Sequence, residues 1–409
     1  LSAPPDSTPD AQAREFHGDG PAEASDRVRY ALEALHRERR FGLLAFAGAG
    51  GLGFRAIQAK RAGLAFADVP LAVVLDGNSQ RDREAGQRWP ASFAEVETDY
   101  LERWAFEHAD VQVVPDDELL AFVRRNHWNV RPDVARELTT APLTGMPAGD
   151  GSSPLVTLAI AHYNLGPYFP DTLATLAAQT YPHLEVVAID DGSTDPASRA
   201  AFDQMEAKYP QWRFLRQPNA GIGTTRNRIL ELATGEFFIP VDADNLAKPD
   251  MVEKFVRGLQ QNPDLAAMSC YFLAFDVPAP DLVPKEFLYA LRPTGGPHAL
   301  ACIRNVYGDA NAIFRTEVLR AVGGYGTDRG TSCEDWELFV KLVHAGHRLG
   351  VVPDHLFYYR HRPGGFSRST NWFANHQRVL RQFAHPGALP PAEALQAWIA
   401  LLGFHQELQ

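Results

Sequence analysis

Three apolar runs of strand length each end in polar or acidic residues. "LVTLAIAHYN" ends in Asn164, "LEVVAIDDGSTD" carries Asp190 and Asp191 behind its apolar part, and "EFFIPVDAD" closes on Asp242 and Asp244. Short runs of this kind, bounded by turn residues, are strands. Between them lie stretches with helical spacing, "YFPDTLATLAAQT", "FDQMEAKYP" and "TTRNRILELATG", the last read as closed by Gly235, and one further strand, "RFLRQ". Alternation of this kind implies an α/β fold, a mostly parallel sheet flanked by helices. In an open parallel sheet ligands bind beyond the carboxyl ends of the strands, so the polar termini should meet in one crevice.

Several carboxylates in one crevice repel one another unless a positive group joins them. Mg²⁺ or Mn²⁺ suits this role, because it takes oxygen ligands, needs few from the protein and shares its shell with substrate phosphates. The spacing in "DAD" lets Asp242 and Asp244 lie on one face of an extended segment while Ala243 faces away.

A chain of 409 residues with 45% hydrophobic side chains is long enough for two cores. Its formal charge of −11 offers no general attraction to nucleic acid, although the basic clusters at 37–40 and 360–362 could grip a small anion. Cys270, Cys302 and Cys333 form no Cys-x-x-Cys pair and read as reduced thiols of a cytosolic protein. The opening is polar and Pro-rich with no apolar signal core, and the apolar run at 41–54 is too short and Gly-rich to span a bilayer. The expectation is therefore a cytoplasmic chain, at most peripheral to the inner face of a membrane. It begins without an initiator Met, so a processed or excised piece of something longer is one expectation.

Residues 1–40 read as a leader, disordered or partly helical. A βαβαβ block follows at 41–138, half of a Rossmann-like domain, and a Pro/Gly/Ser/Thr-rich linker at 139–153 separates it from the second block at 154–385. A helical extension is expected at 386–409. Within the first block "GAGGLG" at 48–53 spells G-x-G-x-x-G after a strand and before a helix, and Asp76 ends the next strand. That pattern fits a dinucleotide-binding oxidoreductase module.

Four segments in order, "VTLAIAHYN", "AIDDGSTD", "NAGIGTTRNRILELATGEFFIPVDADN" and "GDANAIFRTEVLRAVGGYGTDRGTSCEDWELFVKLVHAG", resemble family 2 of the glycosyltransferases, with the GT-A fold, over about residues 154–385. The resemblance implies metal-assisted, inverting transfer of a sugar from a nucleotide-sugar donor, a UDP-sugar being favoured, to a hydroxyl of a glycan or glycoconjugate acceptor. Asp190 would bind the base with Asp191 supporting it, and Ala161, His162, Tyr163 and Asn164 would line the base pocket. Asp242 would touch the ribose, and Asp244 would hold the Mn²⁺ or Mg²⁺, with Asp242 beside it. Asp335 would be the general base and Glu334 its neighbour on the acceptor side; alternatively both acids merely suit the first turn of a helix. "YYRHRPGGFSRS" is similar to the family's segment that closes over the donor, which makes Arg360 and Arg362 diphosphate clamps and His361 a metal or phosphate ligand. Asn245 stands where a further Asp is frequent, and Ala161-His162 replaces the usual Pro-Thr.

Gly221 and Arg226 sit at the entrance to a helix, where backbone donors and a guanidinium suit phosphate; the alternative for Arg226 is a solvated helix arginine. Trp336, Trp372 and Tyr325 are either sugar-stacking rings or core. The first block resembles the tail of the acceptor-side half of a GT-B glycosyltransferase, so a neighbouring glycosyltransferase domain is a further candidate partner. A non-catalytic glycan-binding or scaffold homologue is the remaining reading of the whole.

Overall fold

The structure is a computed structural model that describes residues 20–138, 152–276, 278–362, 364–365 and 369–384. Most of the expected linker and the extension at 386–409 lie outside them.

The first block begins with helix α1 (Pro21–Glu38) and then alternates β1 (Leu44–Ala47), α2 (Phe54–Arg61), β2 (Leu71–Val74), α3 (Ser79–Ala85), α4 (Phe93–His108), β3 (Val111–Val113) and α5 (Asp117–Arg125). Its three strands are parallel in the order β1-β2-β3, as the alternation predicts. Phe46, Phe54, Leu71, Val73, Leu101 and Phe106 fill its core. Helix α1 covers residues 21–38 of the segment read as disordered or partly helical. Its composition is polar, yet its inward side chains find partners in the tertiary structure: Ser25 Oγ donates to Leu52 O at 2.9 Å and Arg29 donates to Pro353 O.

The second block continues with β4 (Val156–His162), α6 (Phe169–Ala177), β5 (Leu184–Asp190), α7 (Pro196–Lys208), β6 (Arg213–Arg216), α8 (Ile222–Leu232), β7 (Phe237–Asp242), β8 (Leu246–Ala247), α9 (Met251–Gln261) and β9 (Leu265–Phe275). It ends with β10 (Tyr289–Leu291), β11 (Ile313–Arg315), α10 (Thr316–Ala321), α11 (Glu334–His344), β12 (Arg348–Arg360) and α12 (Trp372–Phe383). The mixed sheet runs β6-β5-β4-β7-β11-β9-β12-β8, with β10 on β9. Strands β4, β5, β6 and β7 are mutually parallel, while β11 is antiparallel to both of its neighbours. Every residue of β9 is buried, because helices and loops cover both sheet faces there. Phe169, Leu173 and Phe255 pack on one face, and Ile229, Leu338 and Phe339 on the other. This is an α/β GT-A-like sheet. Helix α8 already ends at Leu232, before Gly235. Gly235 is needed for close approach instead: a Cβ there would lie 2.6 Å from the Thr157 backbone nitrogen.

The two blocks share a polar seam. Arg55, wholly buried, donates to the carbonyls of Pro293 and Arg292, each at 2.9 Å, and its guanidinium lies 5.0 Å from the Tyr271 ring centre. A buried guanidinium is tolerable only when its donors are engaged, and here the Nη groups meet acceptors while Nε lies 3.4 Å from Asp26 Oδ2. The Gly-rich turn is likewise satisfied from within. Fully buried Glu102 accepts from Gly50 N at 2.7 Å, Ser79 N and Asn78 Nδ2 at 2.9 Å and Ser79 Oγ at 2.6 Å. A Cβ on Gly51 would lie 2.5 Å from Leu101 Cβ, and one on Gly53 would lie 2.8 Å from the Phe46 ring. The glycines admit helix α4 and its carboxylate, and Glu102 occupies the amide that a pyrophosphate would need. The dinucleotide reading of "GAGGLG" is corrected on this ground. Among the described residues no helix is long and apolar enough to cross a membrane.

Candidate active site

Parallel register brings the strand ends together. Ala161 pairs with Ile189 on one side and Asp242 on the other, and His162 pairs with Asp190. Beyond these ends opens a crevice of about 550 Å³. It is lined by Ala161, His162, Tyr163, Asn164, Asp191, Gly221, Arg226, Asp242, Ala243, Asp244, Glu334, Asp335, Arg360, His361 and Arg362, together with residues the sequence reading did not single out. Asp190 alone among the expected site residues is not on the wall. Its Oδ1 is 2.9 Å from His162 Nδ1 and accepts from Ser193 Oγ. It therefore braces His162 from behind, with the imidazole also against Phe169 and Phe202. Burial lowers the His162 pKa, against the raising effect of Asp190, so the ring is neutral and Asp190 serves as its hydrogen-bond partner. Asn164 adopts φ 52°, a left-handed conformation that Asn tolerates, and its Oδ1 accepts from Thr194 N at 2.9 Å and Asp195 N at 3.0 Å.

Asp191 organises the turn that leads into α8. Its two oxygens accept from Ala220 N and Gly221 N, each at 2.8 Å, and Gln217 Nε2 donates to Oδ1 at 2.7 Å. Gly221 has φ 90°, which a side chain would oppose, and this conformation turns its amide toward Asp191 at the start of α8. The amide pair expected to face phosphate is thus engaged by a carboxylate of the chain.

Arg226 differs from both sequence readings, phosphate clamp and solvated arginine. It is 2% exposed, and its guanidinium bridges Asp242 Oδ1 and Glu334 Oε1, each at 2.6 Å. Burial opposes the charge, but Asp242 and Glu334 hold the pKa above its usual value, so the cation persists. One strand end and the head of α11 are joined through it. The Tyr325 ring lies 5.3 Å from the guanidinium and covers it.

Around this single buried cation stand more acids than it can neutralise. Burial raises Asp242 to about 7, an effect that Arg226 opposes and that Asp309 and Asp244 reinforce. Burial likewise lifts Asp309, and it lifts Asp335 well above the carboxylate range, with Glu334 and Asp309 adding to the rise. Asp309 was not foreseen. Its Oδ1 accepts from Asn311 N at 3.0 Å and Asn311 Nδ2 at 2.6 Å, and Asn311 Oδ1 in turn accepts from Asp242 N at 3.3 Å. The signal was in "GDANAIF", a strand approached through an acid and an amide.

Glu334 and Asp335 form the first turn of α11, where its dipole favours negative charge. Cys333 precedes them in the left-handed region, φ 67°, a conformation that disfavours a non-Gly residue by roughly 1–2 kcal/mol. It turns the helix start into the crevice. Asp335 Oδ1 accepts from Trp336 N at 2.8 Å.

Part of the crevice wall comes from the end of β12. Arg360 Nε donates to Asp244 O at 2.9 Å, and Arg362 Nε pairs with Asp244 Oδ2 at 2.5 Å. The amide of His361 donates to Phe275 O at 2.7 Å, and its ring stands edge-on to Tyr289. Buried Asn245 explains its departure from Asp: Nδ2 donates to Asp242 Oδ2 at 3.4 Å while Oδ1 accepts from Arg360 N at 3.1 Å. An aspartate could not donate to Asp242. Cys270 and Cys302 are buried and Cys333 is half-buried, all with free thiols.

The donor set suits a hard divalent cation: carboxylate oxygens in excess over buried positive charge, in a crevice open to ligand. Among the described residues no group of three or more His, Cys, Asp or Glu is disposed to hold a metal ion without help, so phosphate or water oxygens would complete the shell.

Comparison with known proteins bears on the same segment. Residues 157–323 match the sequence model of Glycosyl transferase family 2. Glucosyl-dolichyl phosphate glucuronosyltransferase of Haloferax volcanii is 31% identical over 180 residues, 43% of this chain and 57% of that protein. Chondroitin synthase of Escherichia coli is 34% identical over 115 residues, 28% of this chain and 17% of that protein. Each match takes in less than two thirds of the relative's own length. Among solved structures, a mannosyltransferase of Pyrobaculum calidifontis in complex with GDP-Man and Mn²⁺ aligns with TM-score 0.46 and 24% identity, covering 70% of this chain and 78% of that one. Residues 157–323 are thus a glycosyltransferase family 2 segment of the chain.

Proposed function

We propose that the chain is a metal-dependent, inverting glycosyltransferase that moves a sugar from a nucleotide-sugar donor, a UDP-sugar being favoured, to a hydroxyl of a glycan or glycoconjugate. The observation that carries this reading is the half-buried Asp335, which lines the same crevice as the Asp242–Asp244 strand end and is lifted in proton affinity by burial and by Glu334. A carboxylate of raised pKa is a stronger proton acceptor near neutral pH, once ionised, than a solvated one.

In the proposed step, the acceptor oxygen bonds to the anomeric carbon as its proton passes to Asp335, and the bond from that carbon to the diphosphate oxygen breaks. The electron pair leaves with the nucleoside diphosphate. A divalent cation, when bound, would supply charge neutralisation for that leaving group. Asp244 and Asp242 are the residues to hold it, with His361 at the rim. Arg360 and Arg362 are near enough to Asp244 to move from it to the diphosphate. Tyr163 and Asn164 extend the wall that would face the base, and Asp191 is the member of the acidic pair on that wall. Arg226 positions Glu334 and Asp242 and binds no phosphate in this scheme.

A thermal-shift panel of UDP-, GDP-, dTDP- and CMP-sugars with Mn²⁺ tests the donor class, since a ligand of the native state raises its melting temperature. One nucleotide series should stand out. Absence of any shift, together with no Mn²⁺-dependent hydrolysis of a UDP-sugar, would sink the proposal.

A further inference from the structure

Of the three aromatic residues that could stack on a sugar, Trp336 and Tyr325 are buried, while Trp372 is 57% exposed and its neighbour Phe373 is 72% exposed. Two large rings side by side in water are unusual on a protein surface, and the helix that begins with them is tied to the crevice wall. Ser369, three residues before Trp372, lines the crevice, as does Ser332, whose amide donates to Asn375 Oδ1 of α12 at 2.8 Å. The rings are also tied to the acidic dipeptide. Trp336 follows Asp335 and meets His376 at 5.3 Å, and His376 lies against Trp372 at 4.0 Å between ring centres. Buried Arg378 clamps α12 onto α11 through Glu337 at 2.6 Å. The exposed rings therefore hold a fixed position relative to Asp335.

We infer that Trp372 and Phe373 form an acceptor platform, on which a sugar ring of the acceptor next to the one being glycosylated stacks. This inference rests on the glycosyltransferase reading above. The chemistry favours carbohydrate over an anionic membrane surface. Trp372 and Phe373 stand at 85° to each other, a corner that presents two faces to a ring with apolar C–H groups. The nearby cations are already matched: Arg381 pairs with Asp328 and Arg378 with Glu337, so α12 offers no basic stripe to lipid headgroups. Helix α12 ties the platform to the crevice wall, outside the donor-facing strand ends.

The test uses the full chain and three defined probes, maltotetraose, chitotetraose and a hyaluronan tetrasaccharide, read by saturation-transfer NMR. At least one should bind the wild type, and the Trp372→Ala/Phe373→Ala double variant should bind it about tenfold more weakly. Trp372→Phe, which keeps a ring, should retain most of the binding. Melting temperature in the absence of ligand controls for folding and should barely move, since both residues are exposed. Equal binding by the double variant, or no tetrasaccharide binding by the wild type, overturns the inference. So does loss, in the double variant, of sedimentation with 3:1 phosphatidylcholine:phosphatidylglycerol vesicles while sugar binding persists. Mn²⁺-dependent UDP-sugar hydrolysis by the wild type is measured separately: its absence counts against the glycosyltransferase reading, whereas its presence with a failed platform test counts against the platform alone.

Discussion

Arg226 and Glu334, 108 positions apart in sequence, meet through a 2.6 Å ion pair in the interior, and the same guanidinium reaches Asp242. The contact joins the head of α8, the end of β7 and the start of α11 at one point. The crevice is therefore organised around a cation of the protein that is already paired with two of its acids.

Removing that cation should be costly. Arg226→Met leaves Asp242 and Glu334 facing each other without compensation, and breaking one partner of a buried pair typically costs about 3–5 kcal/mol. The expected result is a large fall in melting temperature, with Arg226→Lys intermediate because one ammonium cannot span both carboxylates as a planar fork does. A solvated or phosphate-binding arginine would leave the ligand-free protein's stability nearly unchanged.

Asp335→Asn should separate catalysis from stability. Loss of a positioned base should lower transfer about 10²–10⁴-fold while donor affinity stays level. The folded pKa of Asp335 is raised above 3.8, so its contribution to stability is full below that pH and is lost as pH rises through the folded value. The Asn variant should consequently melt higher than the wild type at pH 8 and gain less at pH 4. Near-normal turnover would remove Asp335 from the mechanism and leave Glu334 as the next candidate.

Turnover of the wild type should rise with pH through the same titration, because only the ionised form accepts the proton. In a pH series of turnover with saturating donor, the acid limb should disappear or move in Asp335→Asn. An unchanged limb would point to another group.

Metal removal gives a further check. EDTA should abolish transfer, Mn²⁺ or Mg²⁺ should restore it, and Asp244→Ala should resist restoration. Arg362, paired with Asp244 in the ligand-free protein, should matter for the donor: Arg362→Ala should weaken donor binding by roughly tenfold or more, the scale of a charged hydrogen bond. Full activity in EDTA would end the metal proposal.

In the first block, Glu102→Ala should destabilise the fold, since it leaves the Gly50 and Ser79 amides and the Asn78 amide side chain without their acceptor. A buried donor left unpaired typically costs about 1–3 kcal/mol. NAD should produce no thermal shift in the wild type. A clear shift with NAD would revive the dinucleotide site.

By itself the sequence determined the strand-helix alternation of both blocks, the strand ends carrying Asn164, Asp191, Asp242 and Asp244, and the acidic dipeptide at the head of a helix. Those features are local: a strand is written in a run of apolar residues, and the carboxyl end of a parallel strand faces the same edge as its neighbours. Tertiary structure decided which polar group meets which. "GAGGLG" reads like a phosphate loop until Glu102 arrives from another helix, and Arg226 looks like a phosphate clamp until β7 and α11 close on it. Asp190 and Asp191 are adjacent in the chain, yet strand alternation sends one behind the wall to His162 and leaves the other on it. Asp309 became visible only through its place beside Asp242, and only the fold showed that Trp372, of the three rings the sequence offered, is the exposed one. The physical reason is common to all of these. Propensity and periodicity act within a few residues, whereas the charge state and availability of a polar side chain are set by what the fold packs against it, and that partner can lie a hundred residues away.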